Sequence, residues 1–210
     1  MNIGKIYIFH MTHISNLPLI LEKRGLLCKN MVVNKRIEYV NISNTSVQNK
    51  RYAKNVPIEP YGILHDYVPF YFCTLNPMLY AIYSGKVDTY TEGQENVIFL
   101  VSTIPQVTQA KLNFVFTDGH AIMALTQFFK DIADLDKLNW EVIKAKYWPE
   151  FTDGSRLRQA EFLVHKFFPW EHILGIGVLN NQSRNKVIEI LRKGEKGKIR
   201  PVVIKPDWYF

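Results

Sequence analysis

Arg156-Leu-Arg-Gln-Ala-Glu-Phe-Leu-Val-His-Lys-Phe-Phe-Pro-Trp170 contains one acid, Glu161, in a run that is otherwise apolar, amide or basic. Gln159, Glu161 and Lys166 alternate loosely with Ala160, Phe162 and Val164. That spacing predicts a half-buried strand with one face turned to something polar. Glu161 would then be a partly exposed carboxylate on an apolar support made by Phe162 and Leu163. Groups mounted on strands hold their geometry better than groups on loops. Just upstream, Trp148-Pro-Glu-Phe-Thr-Asp-Gly-Ser155 is rich in turn residues and carries two aromatics expected to be exposed. A flexible loop suited to recognition therefore leads into a strand bearing a single glutamate.

Moving outward, the 210 residues are 47% hydrophobic and 21% charged, which suits one compact domain over residues 1–210. Net charge is +7 and aromatics make up 13%. Such a balance favours nucleic acid or phosphate-bearing partners, with rings available for bases. The two cysteines, Cys28 and Cys73, form neither a metal pattern nor a disulfide framework. The start of the chain lacks the apolar run of a signal peptide, and no stretch is long enough to span a bilayer. A cytoplasmic protein is expected. There is no GxGxxG and no P-loop lysine, so a dehydrogenase or NTPase of the usual kinds has no support.

Taken in order, Lys5–His10 reads as a first strand, and Ser15 or Asn16 as the cap of a helix over Leu17–Arg24 that stops at Gly25. His10-Met-Thr-His13 is a polar junction between them. His10 and His13 lack a third ligand at helical spacing, so no metal is expected; a purely structural pair stays open. From Cys28 to Pro60 periodicity fades, and an irregular basic lid is expected there. Tyr67–Cys73 is a strongly apolar strand. Asn76 and Pro77 open the helix that follows, and Gly85 ends it.

Asn96–Ser102 is a plain buried strand built on Val-Ile-Phe-Leu-Val. Another at Leu112–Phe116 runs into the turn Thr117-Asp-Gly-His120. Asp131–Lys146 is partly helical. Ile173–Leu179 is a strand, Arg184–Lys193 a helix and Ile199–Ile204 a last strand. Arg184–Lys205 holds eight basic residues and two acids. That concentration of charge can follow a phosphate backbone.

Several of these segments together resemble the DarT family, toxins that ADP-ribosylate bases in single-stranded DNA. They are His10-Met-Thr-His13 with Asn16-Leu17, Arg51-Tyr52, and Val68-Pro-Phe-Tyr-Phe72 with Pro77-Met-Leu-Tyr80. Thr117-Asp-Gly-His-Ala121 with Thr126-Gln-Phe-Phe129 and Arg158-Gln-Ala-Glu-Phe-Leu-Val164 complete the set. The resemblance implies an α+β fold of the ADP-ribosyltransferase kind, a split mixed β-sheet core with flanking helices and the cofactor in the cleft between half-sheets. It implies NAD as substrate, held by His10, Thr12, Asn16, Arg51 and Tyr71, with His10 donating to a ribose hydroxyl and Tyr71 stacking on nicotinamide. Catalysis falls to Glu161, Arg51 and His120. Tyr52, Met78, Tyr147 and Trp148 would meet the nucleic acid. Thymine is the implied target base, a macrodomain antitoxin the implied partner, and a monomer the expected state.

The chemistry this asks for is cleavage of the bond between nicotinamide and ribose. Positive charge develops on the ribose, and a carboxylate beside its 2′-hydroxyl stabilises that charge. Arginine is a poor base, so Arg51 reads as an electrostatic helper and His120 as a proton relay. Two other classes stay open: a mono-ADP-ribosyltransferase acting on RNA or protein, and a noncatalytic single-strand-binding module. Consumption of NAD separates them. A basic structural domain without a site is the plainest alternative.

Overall fold

The structure, a computed structural model, describes residues 6–194 and 199–210. The expected strand start at Lys5 and the basic residues Lys196 and Lys198 lie outside them. Among the described residues, ten strands fall into an eight-stranded sheet and a two-stranded one. In chain order the strands are β1 (Tyr7–His13), β2 (Gly25–Leu27), β3 (Tyr67–Tyr71), β4 (Val97–Thr103) and β5 (Phe114–Thr117). β6 (Phe128–Phe129), β7 (Glu161–His165), β8 (Phe167–Pro169), β9 (Gly175–Val178) and β10 (Val202–Ile204) follow. The large sheet has the order β10-β9-β4-β1-β3-β7-β5-β6, and β2 pairs β8. Only β10 and β9 run parallel; the other paired strands are antiparallel. The α+β class and the mixed sheet are as expected.

The sheet is split at its centre. β1 pairs β4 over seven residues, from Tyr7↔Thr103 to His13↔Val97. β3 pairs β7 over five, from Tyr67↔His165 to Tyr71↔Glu161. β1 and β3, however, meet only at Phe9↔Tyr71. Pro69 explains the break. Its carbonyl points across to β1, where it accepts from His10 Nδ1 at 2.8 Å. In an antiparallel strand the N–H of that residue would point the same way, and proline has none to offer. Past Phe9 the strands diverge, and a cleft opens between the last half of β1 and the first half of β3.

β7 corrects one expectation. Glu161, Phe162, Leu163 and Val164 are all 0% exposed. The strand lies between β3 and β5, so both its edges are paired, and side chains pack on both its faces. Phe162 packs with Phe72, Phe114 and Phe116 on one face. Leu163 lies with Leu64, Tyr67 and Val115 on the other. The strand is fully buried, and Glu161 is a buried charge rather than a half-exposed one.

Eight α-helices surround the sheet among the described residues: α1 (Leu17–Glu22), α2 (Lys29–Asn34), α3 (Thr45–Ala53), α4 (Pro77–Tyr83), α5 (Ile104–Gln109), α6 (Trp140–Lys144), α7 (Gly154–Leu157) and α8 (Asn181–Gly194). α4 starts as expected, with Asn76 Oδ1 accepting from the Leu79 N–H at 3.0 Å and Pro77 in the first turn. Asn16 makes no such cap; His13 takes that role for the short turn before α1, accepting from the Ser15 N–H. The stretch expected to be irregular between Cys28 and Pro60 holds α2 and α3. Among the residues of these two helices only Arg51 is buried. They have no apolar stripe, hence no periodic signal.

Candidate active site

A cleft of about 220 Å³ opens at the split in the sheet. The end of β1, the start of β3, α1 and the segment from Lys29 to Arg51 wall it, and His120 closes one side. Most of the wall is apolar; the polar groups are few and converge.

Arg51 lines the cleft, and behind it, outside the lining, its Nη1 donates to Glu161 Oε2 at 2.8 Å. Arg51 is 7% exposed and Glu161 0%. The other carboxylate oxygen, Oε1, accepts from the Ala121 N–H at 3.0 Å. The backbone of Glu161 is fixed as well, because its N–H donates to Thr117 Oγ1 at 3.0 Å while that hydroxyl donates to the Gly119 carbonyl at 2.7 Å. A buried carboxylate between a guanidinium and a backbone N–H is a held anion. Arg51 Nη2, by contrast, is buried with no partner. A buried donor left unpaired costs about 1–3 kcal/mol, so this atom marks where a ligand acceptor fits.

Two imidazoles face the same cleft. His10 donates from Nδ1 to the Pro69 carbonyl. Burial lowers its pKa to about 4, against the opposing pull of that carbonyl. The ring is therefore neutral near pH 7 and presents Nε2 as an acceptor. A ligand hydroxyl meeting this ring at Nε2 would donate to it. His120 lies beside the buried pair. Burial pushes its pKa down, Glu161 pulls it up, and Arg51 and Lys50 push it down further. The net shift is downward, so this ring too can accept a proton at neutral pH.

Thr12 and Asn16 line the cleft wall but are already engaged. Asn16 Nδ2 donates to Thr12 Oγ1 at 3.1 Å and to the Val40 carbonyl at 2.9 Å, and its Oδ1 accepts from the Val40 N–H at 2.8 Å. Asn16 clasps the Val40 peptide and so pins the segment Val40–Ser43 over the cleft. Tyr71 also lines it, with its hydroxyl on Met78 Sδ at 3.4 Å. Burial, then the Glu161 charge, pushes that hydroxyl's pKa up. Phe70 and Phe72, its neighbours, are core, at 0% and 7% exposed.

The residues expected at the nucleic acid divide. Met78 reaches the cleft, and Tyr52 and Tyr147 are 65% and 61% exposed. Trp148 is only 8% exposed. It packs edge-on against Tyr80 and Phe210 and lies 5.8 Å from the Arg158 guanidinium. Its expected exposure is wrong because Tyr80 and Phe210 come from distant parts of the chain to cover it. His13 points away from the cleft's acid–base groups, to Glu92 at 3.2 Å. No cluster of three metal-ligating side chains occurs among the described residues.

Sequence reasoning missed His65. It is 7% exposed, lines the cleft and bonds Gln48 Oε1 at 3.1 Å. Burial, then Arg51 and Lys29, lowers its pKa to about 4. Tyr39, in contact with Lys29 of the expected basic lid at the cleft rim, was missed as well. Leu64-His-Asp66 has no motif that would have signalled this role.

Comparison with known proteins gives one consistent match. A family model described as "ssDNA thymidine ADP-ribosyltransferase, DarT" matches residues 9–210. A protein of Thermus sp. (strain 2.9) named DNA ADP-ribosyl transferase is 42% identical over 97% of this chain and 95% of its own length. One of the same name from Escherichia coli O127:H6 is 32% identical over 100% and 96%. The structure of Thermus sp. 2.9 DarT in complex with ADP-ribosylated single-stranded DNA superposes with a TM-score of 0.93 at 40% identity, covering 99% of this chain and 97% of that one. The same Thermus protein in complex with NAD+ gives a TM-score of 0.87.

Proposed function

This chain belongs to the DarT family of DNA ADP-ribosyltransferases, and from that we propose that it transfers ADP-ribose from NAD to a thymine base in single-stranded DNA, releasing nicotinamide. The observation that carries the reading is the buried Arg51–Glu161 pair, with its one unpartnered guanidinium nitrogen on the residue that lines the cleft.

The bond between nicotinamide and ribose breaks with its electron pair leaving on nicotinamide. Positive charge develops on ribose C1 and the ring oxygen. Glu161 beside the ribose 2′-hydroxyl stabilises that charge, and a group of this kind is commonly worth about 10²–10³ in rate. Burial helps because a carboxylate in a dry site acts more strongly than one in water. Neutral His10 accepts from a ribose hydroxyl, and Thr12 and Tyr71 bound the nicotinamide end. Arg51 spends Nη1 on Glu161 and offers Nη2 to an anionic or carbonyl oxygen, on the pyrophosphate or on the base. The attacking imide nitrogen of thymine must lose a proton, and we assign that proton to His120, whose pKa burial lowers.

The acceptor is read as single-stranded because a duplex base would have to be unstacked and unpaired first, at a few kcal/mol. Tyr52, Met78 and Tyr147 are assigned to the strand. A Thermosipho africanus relative, 26% identical, is named as a fusion of a DNA ADP-ribosyl transferase with a DNA ADP-ribosyl glycohydrolase, and this chain covers 49% of it. We read from it a partner that removes the modification, of the macrodomain type, and a toxic activity that such a partner counters. The reading is completed by a monomer of one domain working in the cytoplasm. No helix of the described residues is long and apolar enough to cross a membrane.

The test is incubation with NAD and a mixed-sequence oligonucleotide, with mass spectrometry of the DNA and assay of free nicotinamide. ADP-ribose on thymine with equal nicotinamide release is expected. Nicotinamide release with unmodified DNA, or modification confined to added RNA or protein, would displace the DNA acceptor.

A further inference from the structure

The loop between β5 and β6 does two things at once. Its Ala121 N–H holds the Glu161 carboxylate, and two residues further on it turns apolar side chains into solvent. Leu125 is 81% exposed and Met123 45%. A lone surface leucine needs no explanation. These two differ because the loop that presents them is rigidly tied. The Met123 N–H donates to the His120 carbonyl at 3.0 Å, and Thr126 Oγ1 donates to the same carbonyl at 2.8 Å. Arg156 Nη1 donates to Thr126 Oγ1 at 3.2 Å and to Asp118 at 3.0 Å. Asp118 in turn accepts from the Gln127 N–H at 2.9 Å. The exposure is built in.

The surroundings suit a polyanion with bases. Lys54 Nζ reaches the Met123 carbonyl at 3.5 Å, so the loop abuts the end of α3. Tyr52 stands there 65% exposed, its ring 5.8 Å from His65, which lines the cleft. Lys50, an exposed residue of the same helix, is close enough to act on His120. The rim is thus apolar and cationic together, and it is continuous with the cleft through His120.

We propose that Met123 and Leu125, on the loop that Lys54 ties to the end of α3 beside Tyr52, form an apolar step that seats the nucleobase next to the target thymine on the same strand, with Lys54 meeting its phosphate. A base held against the step is unstacked from its neighbour, which leaves the target base free to enter the cleft; apolar side chains inserted at base steps act in this way. The contact is indifferent to hydrogen-bonding edges, so it tolerates different bases. The inference rests on the DNA reading above and adds the site of the neighbouring nucleotide.

The test is a cycle between protein and substrate. One oligonucleotide carries the target thymine with normal neighbours; a second has abasic neighbours, which keep the phosphates and lose the bases. Affinity by fluorescence anisotropy and transfer kcat/KM are measured for wild type, Leu125→Ser and Met123→Ser/Leu125→Ser. Wild type should lose roughly tenfold when the neighbouring bases are removed, in line with about 1–3 kcal/mol for one base contact. The double variant should lose a similar factor on the normal strand and no further with abasic neighbours. Leu125→Ser alone removes a side chain that touches little, so its partial loss guards against a folding artefact. Multiplicative losses, or no loss, would overturn the proposal. So would a dimer dissociated by Leu125→Ser at unchanged DNA affinity, which would assign the step to self-association. If wild type modifies no oligonucleotide, the activity reading falls, while the binding cycle still decides the step.

Discussion

Arg51 and Glu161 lie 110 positions apart in sequence and meet at 2.8 Å, both buried. The pair joins the one buried residue of a polar helix, α3, to the centre of the sheet. Taking two charges out of water is expensive, and their attraction offsets that cost only when further hydrogen bonds complete the geometry. Here Ala121 completes the carboxylate, whereas Arg51 Nη2 is left open. The incompleteness lies on the residue of the pair that lines the cleft.

Changes at Glu161 should therefore separate stability from catalysis. Glu161→Ala leaves a buried guanidinium without its partner and should destabilise the fold by about 3–5 kcal/mol. Glu161→Gln keeps the shape and an acceptor for Ala121 and should fold. Its transfer rate should drop at least 10²-fold. Chemical denaturation and a transfer assay on both variants check this. Wild-type transfer by Glu161→Gln would remove the carboxylate from the mechanism.

His10→Ala should weaken NAD binding about five- to tenfold, the equivalent of one hydrogen bond of about 1 kcal/mol. The fold should persist, because His10 sits where β1 and β3 have already parted. Calorimetric titration with NAD is the measurement, and unchanged affinity in a folded variant would contradict the assignment.

Two desolvated rings, His65 buried and His10 half-buried, set an acid limit. His10 and His65 have pKa values of about 4 in the folded chain, against about 6.5 for an unperturbed histidine. Between those values the unfolded chain binds more protons, so stability rises with pH there. Stability is complete above about 6.5 and is lost as pH falls toward 4. The loss should be of order 1–3 kcal/mol per ring, reduced by solvent access. Thermal melts from pH 7 to 4 should show a falling midpoint, and His65→Gln should flatten the slope. A midpoint independent of pH in that range would mean the rings are not held neutral.

Much of this was legible in sequence, for local reasons. β7 reads as a strand because Phe162, Leu163 and Val164 are apolar and adjacent. α4 reads as a helix because Asn76 and Pro77 mark its start. The depth of β7 was not legible, since the strands that cover it come from elsewhere in the chain. α3 escaped because only Arg51 of its nine residues is buried, and a single buried charge leaves no period. Trp148 was misjudged by its company: turn residues surround it in sequence, whereas Tyr80 and Phe210 surround it in space. His65 takes its meaning wholly from Gln48 and Arg51, which no local pattern links to it.

Asn16 gives the last prediction. All its amide hydrogen-bonding atoms are engaged, two with the Val40 peptide and one shared with Thr12. On the proposed function it would act on the cofactor through the segment it holds. Asn16→Ala removes three hydrogen bonds at a buried site and leaves the Val40 N–H and carbonyl to find water, at about 1–3 kcal/mol. The segment Val40–Ser43, tied otherwise through Ser43 to Asn41, Gln48 and Thr89, should loosen without releasing the sheet. KM for NAD should then rise more than kcat falls, because the carboxylate, Arg51 and His120 stand on other elements. Asn16→Asp keeps only the acceptor to the Val40 N–H, so it should recover part of the loss. Hydrogen exchange at the Val40 N–H supplies the independent readout: it should speed up in Asn16→Ala and less so in Asn16→Asp. A fall in kcat at constant KM, with exchange unchanged, would place Asn16 among the groups that act on the reaction directly and would end its role as a clasp.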